Sequence, residues 1–121
     1  MKYMLLIYDR EQSWSSLNEA EQGAIYAGYM KLTQDLKDSG NYVSSSQLHP
    51  INSATCVRIR GEEQLVTDGP FAETHEQLGG YYLVEAKDLD EATAIASRIP
   101  SAKLGTIEIR PLVERAIPCN A

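Results

Sequence analysis

The sequence has no apolar run near the roughly 20 residues that a membrane-crossing helix needs, so no membrane span is expected. It also has no cluster of Lys or Arg. Seventeen acidic residues against 11 basic ones leave a formal charge of −6, a field that repels phosphate backbones, so direct nucleic-acid binding is not expected. Only two cysteines occur, Cys56 and Cys119, and neither has a Cys or His neighbour at metal-ligand spacing, so no metal site is expected from them. Cys56 falls in an alternating extended stretch and reads as a small half-buried side chain, while Cys119 reads as a free thiol in a Pro-containing tail. Gly-x-Gly-x-x-Gly, Gly-Lys-Ser/Thr, His-Glu-x-x-His and Gly-x-Ser-x-Gly patterns are all missing. Nucleotide, zinc-protease and hydrolase readings therefore have nothing to rest on, and no cofactor is expected.

What is present fits one domain spanning residues 1–121, long enough for a single core. The opening run Met1 to Tyr8 is apolar but short. It is cut off by Asp9-Arg10-Glu11 and has no small-residue cleavage site, so it reads as a first strand and the expected location is the cytoplasm. Its two alternating sets, Tyr3, Leu5, Ile7 and Met4, Leu6, Tyr8, are both apolar, which calls for cover on both faces. Asp9 to Ser16 reads as a polar loop carrying the sole Trp, Trp14, packed back on the domain or on a partner. Asn18 and Glu21 have capping-box spacing and open a helix to about Ser39, with Ile25, Tyr29, Leu32 and Leu36 on its apolar face and Gly40 as its stop.

An extended segment from Tyr42 to Leu48 ends at His49-Pro50. A hairpin over 55–67 then delivers Asp68 to its open end. Gly79 to Ala86 is a second strand apolar on both faces; Asp88 and Glu91 cap a helix with Leu89, Ala92, Ile95, Ala96 and Ile99 inward; Thr106 to Leu112 closes the sheet. The order β, α, hairpin or short strands, β, α, β is an α+β layout of the ferredoxin-like, split βαβ sandwich. Two helices cover only one face, so a homodimer with facing sheets, a dimeric α+β barrel, is the expected assembly.

Candidate chemistry gathers around Asp68-Gly69-Pro70-Phe71. Asp68 either pins its turn by accepting backbone N–H groups or lines a pocket as an acid/base group. His49, at a strand end, is the favoured partner over His75, which sits in a polar loop. Tyr8, with Tyr81 or Tyr82, either packs in the core or an interface with its hydroxyl satisfied, the commoner role, or brings phenols to the same cleft, and Phe71 is expected to plug the core beneath the turn. Arg58 and Arg60 could neutralise an anionic ligand, but the simpler reading pairs them with Glu62, Glu63 or a partner subunit.

The run Leu65 to Thr74 with Glu76 to Tyr82, continued from Asp88 to Ala92 and from Glu108 to Pro111, resembles the DGPF group of the YCII-related family. The resemblance implies a dimeric α+β barrel. It also implies an enzymatic site built on a His and an Asp, some members being lyase-like enzymes on small aromatic compounds. That His would fall around Ile25 to Tyr29, where this chain has none, so lyase chemistry does not carry over and Asp68 remains the matching position. The expected function is a small-molecule-binding or acid/base pocket at this turn. The alternative is a non-catalytic interaction domain accessory to transcription through a protein partner, since such domains also occur joined to sigma-factor-like regions.

Overall fold

The computed structural model describes residues 1–114, and Cys119 lies outside them. Four antiparallel strands form the main sheet: β1 (Lys2–Asp9), β2 (Tyr42–Gln47), β5 (Gln77–Glu85) and β6 (Thr106–Pro111), in the order β2-β5-β1-β6. Between β2 and β5 the chain inserts a separate hairpin of β3 (Thr55–Arg60) and β4 (Glu63–Asp68). The two strands apolar on both faces, β1 and β5, are the central pair, as expected of a ferredoxin-like sandwich. Parity decides what each side chain meets. Tyr3, Leu5 and Ile7 of β1, Tyr82 and Val84 of β5, and Ala86 just after it are buried together, with Tyr3 opposite Val84 and Leu5 opposite Tyr82.

Two helices cover that face. In the longer, α2 (Glu19–Ser39), the Asn18 side chain accepts from the Glu21 N–H at 2.8 Å and the Glu21 carboxylate accepts from the Asn18 N–H at 3.1 Å, so the expected capping box is formed. The helix stops at Gly40, whose φ of 82° is the left-handed conformation that glycine takes without strain. Leu32 and Leu36 of α2, Ala92, Ile95 and Ala96 of α3 (Leu89–Ser97), and Ile99 complete one core with the buried strand residues. Arg98 reaches from the end of α3 to Asp35 of α2 at 2.5 Å.

Three details differ from the sequence reading. The Asp9 to Ser16 stretch is not all loop: Asp9 ends β1, and Glu11–Ser15 forms a short helix, α1. The last helix ends at Ser97, and a 3-10 turn at Pro100–Lys103 follows it; Leu89, the first helical residue, is exposed and outside the core. Phe71 does not plug the core. It is 76 % exposed with the Arg58 guanidinium 5.0 Å from its ring centre, because the hairpin that carries it stands apart from the main sheet. Among the described residues no helix is long and apolar enough to cross a membrane.

Candidate functional site

A cavity of about 860 Å³ lies between the helical layer and the end of the sheet where β1 finishes and β5 begins. That volume is within the ordinary range for a small-molecule site. Its position follows from the strands. Asp9 continues the parity of Tyr3, Leu5 and Ile7, so its carboxylate turns toward the helices, while Tyr8 belongs to the opposite set. A bulge aids this, since β5 carries one extra residue where Ile7 pairs with Gly80 and Tyr8 with Leu78.

Aromatic groups make much of the wall. From α2 come Tyr26 and Tyr29, from α1 Trp14, and from β5 Tyr82. Trp14 meets Tyr26 edge to face at 5.2 Å, which answers the sole Trp: it packs on its own domain, at the cavity. The Tyr29 and Tyr82 rings are parallel, 6.3 Å apart. Thr33 and the Tyr82 hydroxyl lie 2.7 Å apart, so that phenol is already engaged with protein. The rim is held by Glu11, whose carboxylate accepts from the Ile51 N–H at 2.9 Å and whose own N–H donates to the Gln77 side chain at 3.2 Å.

At the inner end three polar groups meet. The hydroxyls of Tyr29 and Ser101 are 2.6 Å apart, and Ser101 is only 5 % exposed. Asp9 is half-buried beside them. Burial pushes its carboxyl above the usual carboxylate range; hydrogen bonding with Ser101 works against that rise, and the neighbouring charges of Glu76 and Glu11 add to it. Burial likewise raises the Tyr29 phenol, Ser101 opposes, and the Asp9 charge raises it further. A carboxyl able to hold or release a proton thus sits next to a phenol in an aromatic-walled space, which is acid/base equipment.

Ser101 reaches this place because the chain after it presses against β1. A Cβ added to Gly105 would fall 2.0 Å from the Tyr8 carbonyl oxygen and 2.9 Å from the Asp9 Cα, an approach only glycine permits.

Of the residues named from sequence, the structure brings His49 and Tyr82 to this cavity. His49 is exposed on its rim, and Tyr82 is buried in its wall. It does not bring Asp68, Phe71 or Tyr8 there. Asp68 ends β4, is exposed, and makes no side-chain hydrogen bond among the described residues. Tyr8 points to the open face of the sheet, its hydroxyl 3.4 Å from Glu108. His75 is exposed in the loop before β5. Sequence reasoning missed Asp9 and Ser101 as site residues. The signal for Asp9 was its parity with Ile7; nothing local marks Ser101.

A family model described as the YCII-related domain matches residues 1–116. An uncharacterized protein of Rhizobium meliloti (strain 1021) is 33 % identical over 114 residues, covering 93 % of this chain and 92 % of that one. Among solved structures, 5-chloro-2-hydroxyhydroquinone dehydrochlorinase from Burkholderia phenoliruptrix, in complex with 2,5-dihydroxybenzoquinone, is similar in fold. Its TM-score is 0.57 at 14 % identity, over 95 % of this chain and 96 % of that one.

Proposed function

The chain belongs to the YCII-related family, and from that footing we propose that it binds a small, flat, polar ring compound in the cavity beneath α2 and exchanges a proton with it through Asp9. The observation that carries this reading is the half-buried Asp9 carboxyl, displaced toward the protonated form, among Tyr29, Ser101 and the aromatic wall. The pocket expected at the Asp-Gly-Pro-Phe turn is thereby relocated to the end of β1, with His49 on its rim. The ring compound bound by the structurally similar dehydrochlorinase supports the choice of probes.

Titrating isotope-labelled protein with hydroquinone and 2,5-dihydroxybenzoquinone, followed by NMR, tests it. The expected shifts fall on the Trp14 indole and on the amides of Asp9, Tyr29 and Ser101. Shifts confined to residues 68–71, or none at millimolar probe, would contradict it.

The partner in this reading is a second copy on the open face of the sheet. Met4 faces Leu83 and Leu6 faces Tyr81 across the two central strands, on the side that carries no helix. The exposed hairpin residues Val57, Ile59, Val66 and Phe71 favour a second reading, in which the hairpin with its Asp68 corner is a protein-contact surface of an accessory domain.

A further inference from the structure

We infer that the cavity takes an elongated ring acid, with its ring along the aromatic wall, its hydroxyl toward Asp9 and its carboxylate drawn to Lys37. This names a ligand class for the proposed site and rests on the cavity being that site.

The first observation is the shape of the wall supplied by α2. Tyr26, Tyr29, Thr33 and Lys37 all line the cavity and recur every three or four residues, so they form one stripe along the helix. The hydroxyl of Tyr29 meets Ser101 at the inner end, and Lys37 stands two turns and more further on, about 12 Å along the helix axis. A single ring with its hydroxyls does not span that distance. The volume agrees, since about 860 Å³ lies high in the range for small-molecule sites.

The second observation is the charge at the two ends. Asp9 pairs with Gln77 where β5 begins, and the Glu11 N–H donates to the same Gln77, so both carboxylates belong to one end of the cavity. Tyr42 pairs with Val84 near the finish of β5, and the Lys37 ammonium lies 5.2 Å from the centre of the Tyr42 ring. Among the described residues Lys37 is the only Lys or Arg in the cavity lining. Lys31 on the same helix is paired with Asp35 at 3.0 Å, whereas Lys37 has no acidic partner among the described residues. The face of the Tyr42 ring holds the ammonium in place and leaves its charge uncompensated.

The chain as a whole is acidic, so attraction for an anion is confined to this spot. A carboxylate entering the cavity is repelled at the Asp9 and Glu11 end and attracted at Lys37, which fixes the direction in which the ligand lies. Lys37 acts on specificity and touches no reacting atom.

Calorimetric titration at neutral pH with 4-hydroxycinnamate and with its uncharged amide, which keeps the ring, the hydroxyl and the length, tests this. Wild type should bind the acid about three- to fivefold more tightly than the amide, the worth of one solvent-accessible ion pair, and added salt should shrink the difference. Lys37→Gln should bind the two equally, and Lys37→Glu should prefer the amide. Lys31→Gln removes the same charge from the same helix outside the cavity and should keep the wild-type preference. Equal affinities in wild type, a preference that survives Lys37→Gln, or one lost alike in Lys31→Gln would overturn the role of Lys37, while binding of the amide would keep the cavity as the site. Failure of both probes where hydroquinone binds would overturn the elongated acid alone. Failure of all three would overturn the cavity reading with it.

Discussion

Asp9 and Asp68 each end a strand, and they end in opposite surroundings. Asp9 closes β1 under the helical layer, where burial and two nearby carboxylates hold back its ionisation and Ser101 and Tyr29 stand beside it. Asp68 closes β4 on a hairpin whose β4 residues are all exposed, next to a Phe71 that is mostly in solvent. The residue type is the same, so the contrast isolates what the environment contributes. A carboxyl in a partly dry corner can be set to give or take a proton. A conspicuous local motif marks a backbone corner; it does not by itself mark a site.

The comparison can be broken most severely at the two faces of the sheet. Leu83→Asp would bury an unpaired charge in the proposed dimer contact, costing about 3–5 kcal/mol of association. Light scattering should then show a folded monomer in place of a dimer, and an unchanged dimer would remove that contact from the account. On the other face, Leu5→Ala should cost about 2–5 kcal/mol in urea unfolding, because Leu5 is fully buried under both helices. Val66→Ala on the hairpin should stay within about 0.5 kcal/mol. Comparable losses at both positions would mean that the hairpin is covered and is part of the core.

Gly105→Ala should destabilise by about 1–3 kcal/mol, since its new methyl would overlap the Tyr8 carbonyl and the Asp9 backbone. It should also displace Ser101, visible as a changed Asp9 titration.

The smallest effect has an unusual sign. The folded state holds the Asp9 proton more tightly than the unfolded chain does, so stability declines as pH rises from the unfolded carboxylate value through the folded one. Asp9→Asn removes that decline. The variant should therefore melt higher than wild type at neutral pH, with the gain fading below the ordinary carboxylate range. Asp68→Asn should leave the melting curve within about 0.5 kcal/mol. A melting gain at Asp68 and none at Asp9 would reverse the assignment of the two aspartates.

Much of the architecture was legible in the chain. Two strands apolar on both faces, at 2–8 and 79–86, announced the central pair, because strands flanked on both sides within a sheet carry more apolar residues than its edges. Asn18 with Glu21, Gly40, and Asp88 with Glu91 set helix ends through local hydrogen bonds and a left-handed turn, which depend on neighbouring residues alone. The site was less legible because it is non-local. Tyr29 is visible from its helix face, and Asp9 from its parity, but Ser101 arrives only when Gly105 lets the chain close on β1. Phe71 was misplaced for the converse reason: a lone aromatic beside a Gly-Pro turn reads as a core plug unless the hairpin stands clear of the sheet, which depends on tertiary packing.

The most direct test of the central claim is hydroquinone binding measured calorimetrically on wild type, Asp9→Asn and Asp68→Asn at neutral pH. The account predicts that Asp9→Asn loses about tenfold or more in affinity, the worth of one charge-assisted hydrogen bond, while Asp68→Asn binds as wild type does. Weakened binding in Asp68→Asn with full affinity in Asp9→Asn would contradict it and return the site to the hairpin.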